Sequence, residues 1–510
     1  MTESEQSTAP STPTPDETRE ALRHLGTVAA TLVGILLVVY AVPPLHRFRP
    51  WVAGDPLPFA DHFQGQMYEA PQFATGGTQV GQDEEVSRRR IASELGAAVA
   101  GNMGGDEAPE THHGATIDPS EYEGLPVHLV DEGGRGLRPF YEALLHTARG
   151  EDGAITRIAH YGDSSIATDL ITHTVRRRLQ LRFGDAGHGF VLISKGYLPY
   201  RHRDLEHRFS DSWQIREVTK RSLEDGLYGF GGIQARGGGG ARAVFGSDPG
   251  APVGKTVGRF QLFYQRSPRG GQVELVVDRG LPRVLDTRGD AVEDAVETVD
   301  VPDGDHELTI RALGMVTLYG MVLERNATGV VYDSLGLVGA RANRLLNFDP
   351  EHIARQLRMR GTNLLVLGFG GNEASDSIDP ETYLSDFEQV IRRMRAGRED
   401  LGCLVVAPLD QAERVGTGIR TFRGLPRIVE AQRQAAARNG CAFFDTFAAM
   451  GGEGAMARWY RANPRLAMGD FRHATPEGYE IIGNMLAKAL LEGFAEYLAA
   501  EARSPGTGGR

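Results

Sequence analysis

A chain of 510 residues has room for more than one domain and a sizeable core, and its net charge of −12 with an isoelectric point near 5.7 excludes the basic face of a nucleic-acid binder. Its two cysteines, Cys403 and Cys441, are too few for a disulfide framework. Each stands at the start of an expected strand and reads as a small buried core residue.

Residues 1–24 read as a disordered tail, since 1–18 are rich in Ser, Thr, Pro and acids and have little to bury. Residues 25–42 are uncharged, about the minimum for a transmembrane helix, and Pro43 and Pro44 end the run. The preceding segment is long and acidic and Ala41-Val42-Pro43-Pro44 is a poor cleavage site, so the stretch reads as an uncleaved anchor. Arg19 and Arg23 before it and Arg47 and Arg49 after it leave its orientation undecided by charge. Residues 43–135 mix Gly, acids and short polar runs and read as a juxtamembrane linker, with one helix over 86–100 and His112-His113 in a solvated loop.

From 136 to 204 the pattern is that of an α/β core. A short helix at 139–145 leads to a strand at 158–161 that stops at Gly162, and apolar residues then recur at helical spacing over 166–182. Ser164 therefore sits on a tight strand-to-helix turn, which lifts its hydroxyl over the carboxyl edge of a sheet. Residues 205–325 are β-rich, with strands at 259–264, 273–277 and 307–310 and a hairpin turn at 303–306. The glycine run 229–240 reads as a flexible loop: Gln234 stands where a phosphate loop needs its third glycine, and no helix follows. Asn326-Ala327-Thr328 fits a glycosylation sequon.

The α/β pattern resumes over 326–503, with helices at 350–360, 380–396 and 422–438 and strands ending at Leu367 and spanning 403–407 and 441–446. A long terminal helix begins with Thr475 as N-cap and Pro476 in its first turn, and 504–510 form a loose tail. Alternating strands and helices imply a three-layer α/β/α, flavodoxin-like parallel sheet. The β-rich segment, lying between two core strands, reads as an inserted all-β, jelly-roll-like domain, and the core sheet needs only a short link in its place.

Three polar motifs stand at strand ends or before the last helix: Gly162-Asp163-Ser164, Gly370-Gly371-Asn372 and Asp470-Phe471-Arg472-His473, the last followed by Thr475-Pro476-Glu477-Gly478-Tyr479. A serine hydroxyl needs a base, which His473 supplies from a loop, and Asp470 three residues earlier reaches the other ring nitrogen. In kind and order these motifs resemble those of the SGNH/GDSL hydrolase superfamily. The resemblance implies Ser164, His473 and Asp470 as triad, and the N–H of Ser164, the N–H of Gly339 and the amide of Asn372 as oxyanion donors. Asp163 braces the turn. Two departures stand out: Val338 where relatives often carry Asn, and Ser165 where they often carry His.

An anchored core of this kind split by β-structure looks most like the bacterial peptidoglycan O-acetylesterases, in which the insert resembles a carbohydrate-binding module. That implies hydrolysis of a glycan O-acetyl ester without metal or organic cofactor, on the extracytoplasmic side of a bacterial inner membrane. A polysaccharide O-acetyltransferase with the same triad and a non-catalytic glycan-binding envelope protein are the alternative readings.

Overall fold

The computed structural model describes residues 114–503 except 198, 222, 252–253, 377 and 399. The expected tail 1–24, the anchor 25–42, the part of the expected linker 43–135 up to 113 with its helix and histidine pair, and the tail 504–510 lie outside the described residues. Residues 114–135 are not a loose linker, since Ile117 is buried in the core and Val130 bridges Phe443.

The chain runs through α1 (Arg138–Ala148), β1 (Ile155–Gly162), α2 (Ser164–Ala167), α3 (Leu170–Phe183) and β2 (Gly187–Val191). Ten strands follow: β3 (Leu205–Phe209), β4 (Gln214–Glu217), β5 (Ile233–Gly237), β6 (Arg242–Ser247), β7 (Val257–Arg266), β8 (Gln272–Val277), β9 (Arg283–Asp286), β10 (Glu293–Gly304), β11 (Glu307–Ala312) and β12 (Val316–Glu324). Then come β13 (Gly329–Gly336), α4 (Pro350–Arg360), β14 (Leu364–Gly368), α5 (Pro380–Arg395), β15 (Gly402–Val406) and a hairpin of β16 (Ala412–Val415) and β17 (Gly418–Thr421). The chain closes with α6 (Leu425–Arg438), β18 (Ala442–Phe444), α7 (Thr446–Ala449), α8 (Ala455–Arg461) and α9 (Pro476–Arg503).

Five strands make a parallel sheet in the order β13-β1-β14-β15-β18. Side chains alternate between its faces, as the pleat requires. Ile158, Val330, Tyr332, Leu364 and Val366 pack with Leu144, Val175, Leu179 and Phe494 of α1, α3 and α9. Ala159, Tyr161, Leu335, Leu365 and Leu367 pack with Leu357, Phe387, Val390 and Ala435 of α4, α5 and α6. The result is the three-layer α/β/α core expected from the alternation of elements.

Apart from the β16–β17 hairpin, the antiparallel strands of the described residues form two sheets, one ordered β10-β7-β12-β5-β4 with β2 also paired to β12, the other β3-β6-β11-β8-β9. Between them lies one apolar cluster, with Phe260, Leu262, Leu318 and Met321 from the first sheet and Phe245, Leu275, Leu308 and Ile310 from the second. The other face of the first sheet sends Phe190, Phe263, Tyr319 and Val322 into the same cluster as Tyr161, Leu335 and Leu367 of the core. The β-rich segment thus shares a continuous apolar interior with the core, and cutting it out at a short link would uncover that face. The strand Gly187–Val191, ahead of the expected boundary at 205, takes part in this sheet.

Three local expectations are corrected. The helix over 166–182 is broken between α2 and α3, where Asp169 adopts φ 57°. Its buried carboxylate accepts from Arg176 at 2.8 and 3.0 Å and from the Arg203 N–H at 2.8 Å, which outweighs the cost of a left-handed aspartate. The glycine run 229–240 is not a loop throughout: β5 crosses it, pairing with β4 and β12 and burying Ile233 and Ala235.

Cys403 and Cys441 are buried as expected but are bonded to each other, one rung before the paired residues Leu404 and Ala442. The bond closes a loop over a sequence separation of 38 residues. Replacing both cysteines with alanine is expected to lower stability by about 2–4 kcal/mol, read from the urea midpoint, because the unfolded chain regains the entropy the cross-link removes.

Candidate active site

Gly162, Gly336 and Gly368 stand side by side in register at the carboxyl edge of β1, β13 and β14. A Cβ on Gly336 would lie 2.2 Å from the Ala167 nitrogen, and one on Gly162 would lie 2.3 Å from Ile166 Cγ1. These missing side chains let α2 settle directly on the sheet edge. Asp163 caps the helix: its Oδ1 accepts from the Ser165 N–H at 2.9 Å and from the Ser165 hydroxyl at 2.8 Å. Ser164, half-buried, is left as the first residue of the helix with its hydroxyl outward.

The histidine arrives on a loop pinned at both ends. Ala467 and Ala474 form an antiparallel bridge, and the Met468 N–H donates to the His473 carbonyl at 2.8 Å. Between them Phe471 takes a left-handed φ of 57° and buries its ring edge-on to Tyr460, 4.9 Å between centroids. That anchor turns Asp470 and His473 toward each other. His473 Nε2 lies 2.8 Å from Ser164 Oγ, and His473 Nδ1 lies 2.6 Å from Asp470 Oδ2. The other Asp470 oxygen accepts from the N–H groups of Arg472 and His473 at 3.0 and 3.1 Å. A serine–histidine–carboxylate relay therefore stands complete at the sheet edge.

The turn after β13 is tied to the serine turn, since the Leu337 N–H donates to the Gly162 carbonyl at 2.8 Å. It carries Gly339, exposed and at φ 70°. Asn372, at the turn after β14, donates through Nδ2 to the Ala340 carbonyl at 2.9 Å, leaving the second amide hydrogen free of that bond. Within the described residues the N–H groups of Ser164 and Gly339 have no acceptor. The three residues expected from the sequence as oxyanion donors thus belong to neighbouring, mutually bonded turns.

His160, on β1 below the serine, is fully buried, and its Nδ1 lies 2.9 Å from the Tyr332 hydroxyl. Burial pushes it down to about 3, so it stays neutral and outside the relay. His473 moves the other way: its hydrogen bond to Asp470 holds it above the ordinary histidine value, against partial burial. Because the base must be neutral to accept the serine proton, the acid limb of kcat/KM is expected at a midpoint above 6.5. The residual activity of Asp470→Asn should show the limb at lower pH, and an unmoved limb would assign it to another group.

Sequence reasoning missed Glu373, which follows Asn372 and is buried beside this site. The signal was an acid directly after the Gly-x-Asn turn, in a position a solvated loop does not need to bury.

A serine–histidine–aspartate relay reached from the ends of parallel strands is the arrangement of a hydrolase of the SGNH/GDSL type. Residues 314–481 match the model of the GDSL-like Lipase/Acylhydrolase family, a span that holds Gly339, Asn372, Asp470 and His473. No curated protein sequence matches the chain. Among solved structures, a peptidoglycan O-acetylesterase is similar over 72% of this chain and 99% of its own, at 24% identity and a TM-score of 0.62. A family 2 carbohydrate esterase with a carbohydrate-binding domain from Corynascus thermopiles (Myceliophthora fergusii) is matched at 12% identity over 56% of this chain and 99% of that one, with a TM-score of 0.26. One from Cellvibrio japonicus is matched at 9% identity over 58% and 99%, with a TM-score of 0.24.

Proposed function

We propose that the protein is a serine esterase that removes O-acetyl groups from an envelope glycan such as peptidoglycan, held outside the cytoplasm by residues 25–42 as a single-pass anchor. The observation that carries this reading is the hydrogen-bonded relay Ser164–His473–Asp470 beside two unengaged N–H groups. Ser164 Oγ attacks the acetyl carbonyl as its proton passes to His473 Nε2, and Asp470 stabilises the imidazolium. The N–H groups of Ser164 and Gly339 and the Asn372 amide receive the charge on the carbonyl oxygen. The sugar oxygen takes the proton from His473 and leaves. Water, deprotonated by the same histidine, then attacks the acetyl-serine and releases acetate. Every proton is carried by His473, so the cycle needs no metal or organic cofactor.

The likeness to a peptidoglycan O-acetylesterase supports the choice of polymer. The Cys403–Cys441 bond suits an oxidising compartment. The antiparallel sheets, joined to the core beside β13, serve in this reading to hold the glycan. The test is to incubate the full chain in detergent with O-acetylated peptidoglycan and an added acceptor glycan. Free acetate as the main product is expected; acetyl groups recovered on the acceptor instead would make the protein a transferase and overturn the reading.

A further inference from the structure

A second cleft, of about 390 Å³, opens next to the Asn372 turn, between Glu373 and Asp376 on one side and Arg423 and Arg427 on the other. The two arginines are exposed, and neither guanidinium group forms a hydrogen bond or ion pair with a described residue. They flank the start of α6, whose first turn holds no acid and whose N-cap makes no side-chain bond. Cations there are opposed by the partial positive charge of the helix end, an arrangement that favours an anion between them. Asp376 does not supply it, because its carboxylate is held by Arg341 at 2.7 Å.

Glu373 adds a second observation. It is 3% exposed, its Oε1 accepts the Ala342 N–H at 2.8 Å, and its Oε2 has no partner among the described residues although the side chain lines the cleft. Burial pushes its carboxyl up to about 7, so near neutrality part of it carries a proton and does not repel an incoming anion. A singly charged carboxylate suits this wall better than a doubly charged phosphate, since Asp376 and the ionised share of Glu373 face the same space. Planar guanidinium groups match that shape.

We propose that this cleft is a subsite for a carboxylate borne by the glycan next to the acetylated residue, gripped by Arg423 and Arg427. The proposal rests on the esterase reading above and assigns a substrate class to it: an anionic glycan, placed one residue from the oxyanion amide. The carboxylate is either on the sugar itself or on a peptide attached to it.

The test compares acetate release by the full chain from O-acetylated glycan fragments with free carboxylates and from the same fragments with carboxylates converted to amides. The free form is expected to have a kcat/KM about five- to tenfold higher, carried in KM, as two exposed charge pairs allow. Arg423→Gln with Arg427→Gln should bring the ratio to about one, and Arg427→Glu should invert it. Fragments stripped of peptide that keep the preference assign the carboxylate to the sugar; loss of the preference assigns it to the peptide. A wild-type ratio of one, or an undiminished ratio in the double variant, overturns the subsite. If no fragment releases acetate, the esterase reading falls. Titration calorimetry of the same fragments then still decides the subsite: binding weakened in the double variant supports it, and equal binding overturns it.

Discussion

Ser164→Ala is expected to lower acetyl-ester turnover by roughly 10⁴- to 10⁶-fold, the usual cost of removing a nucleophile whose partners act as a unit, while leaving the unfolding curve in place. The separation of the two effects follows from the local structure. Among the described residues the hydroxyl is bonded to His473 alone, whereas the turn is held by the Asp163 cap, by Ile166 in its apolar cluster and by the Leu337 bond to Gly162. None of these needs the Ser164 side chain. A serine-directed phosphonate should label Ser164 and leave Ser165 untouched, since the Ser165 hydroxyl is donated to Asp163 at 2.8 Å. Label on Ser165, or near-normal turnover in the variant, would remove Ser164 from the reaction.

The largest expected loss of stability comes from Arg360→Ala, about 3–5 kcal/mol, because it leaves the buried Asp333 without its cation and takes one of two cations from the buried Glu324. Arg360 on α4 donates to both oxygens of Asp333 on β13 at 2.9 Å and also to Glu324 at the end of β12. The three side chains are 1%, 0% and 3% exposed. Arg157 remains in the variant, but it faces Glu324 only, at 2.8 Å. Burial works against the charge on Glu324, yet Arg360 and Arg157 together hold its carboxyl at about 2, below the ordinary 4.5. Its contribution to stability is therefore complete above pH 4.5 and is lost as the pH falls toward 2. Urea unfolding at neutral pH and near pH 3 checks both statements. A variant with an unchanged midpoint would show the network to be dispensable.

The relay was legible in the sequence because each of its parts sits at a change of period, where an apolar run stops and a glycine or short polar residue takes over. The alternating core was legible for the same reason. Where long-range pairing decided the outcome, local pattern did not suffice. Asp169 breaks a helix whose apolar spacing continues through it, because Arg176 and Arg203 offer its carboxylate more than the helix does. Cys403 and Cys441 meet only because β15 and β18 are neighbours, which spacing of 38 residues does not reveal. Residues 233–237 read as loop because glycines surround them, and they became strand because β4 and β12 supplied partners on both sides.

The shared apolar interior of the core and the first antiparallel sheet has an evolutionary consequence. The last strand of that sheet, β12, passes after four residues into β13, and β13 leads straight to the Gly339 turn. A lineage carrying this architecture cannot exchange its β-layers by simple recombination, as tethered binding modules are exchanged, without also disturbing the edge that receives the acyl group. Diversification is left to the outer sheet and to the loops at the strand ends, where sequence can drift while the buried seam between the two halves stays matched.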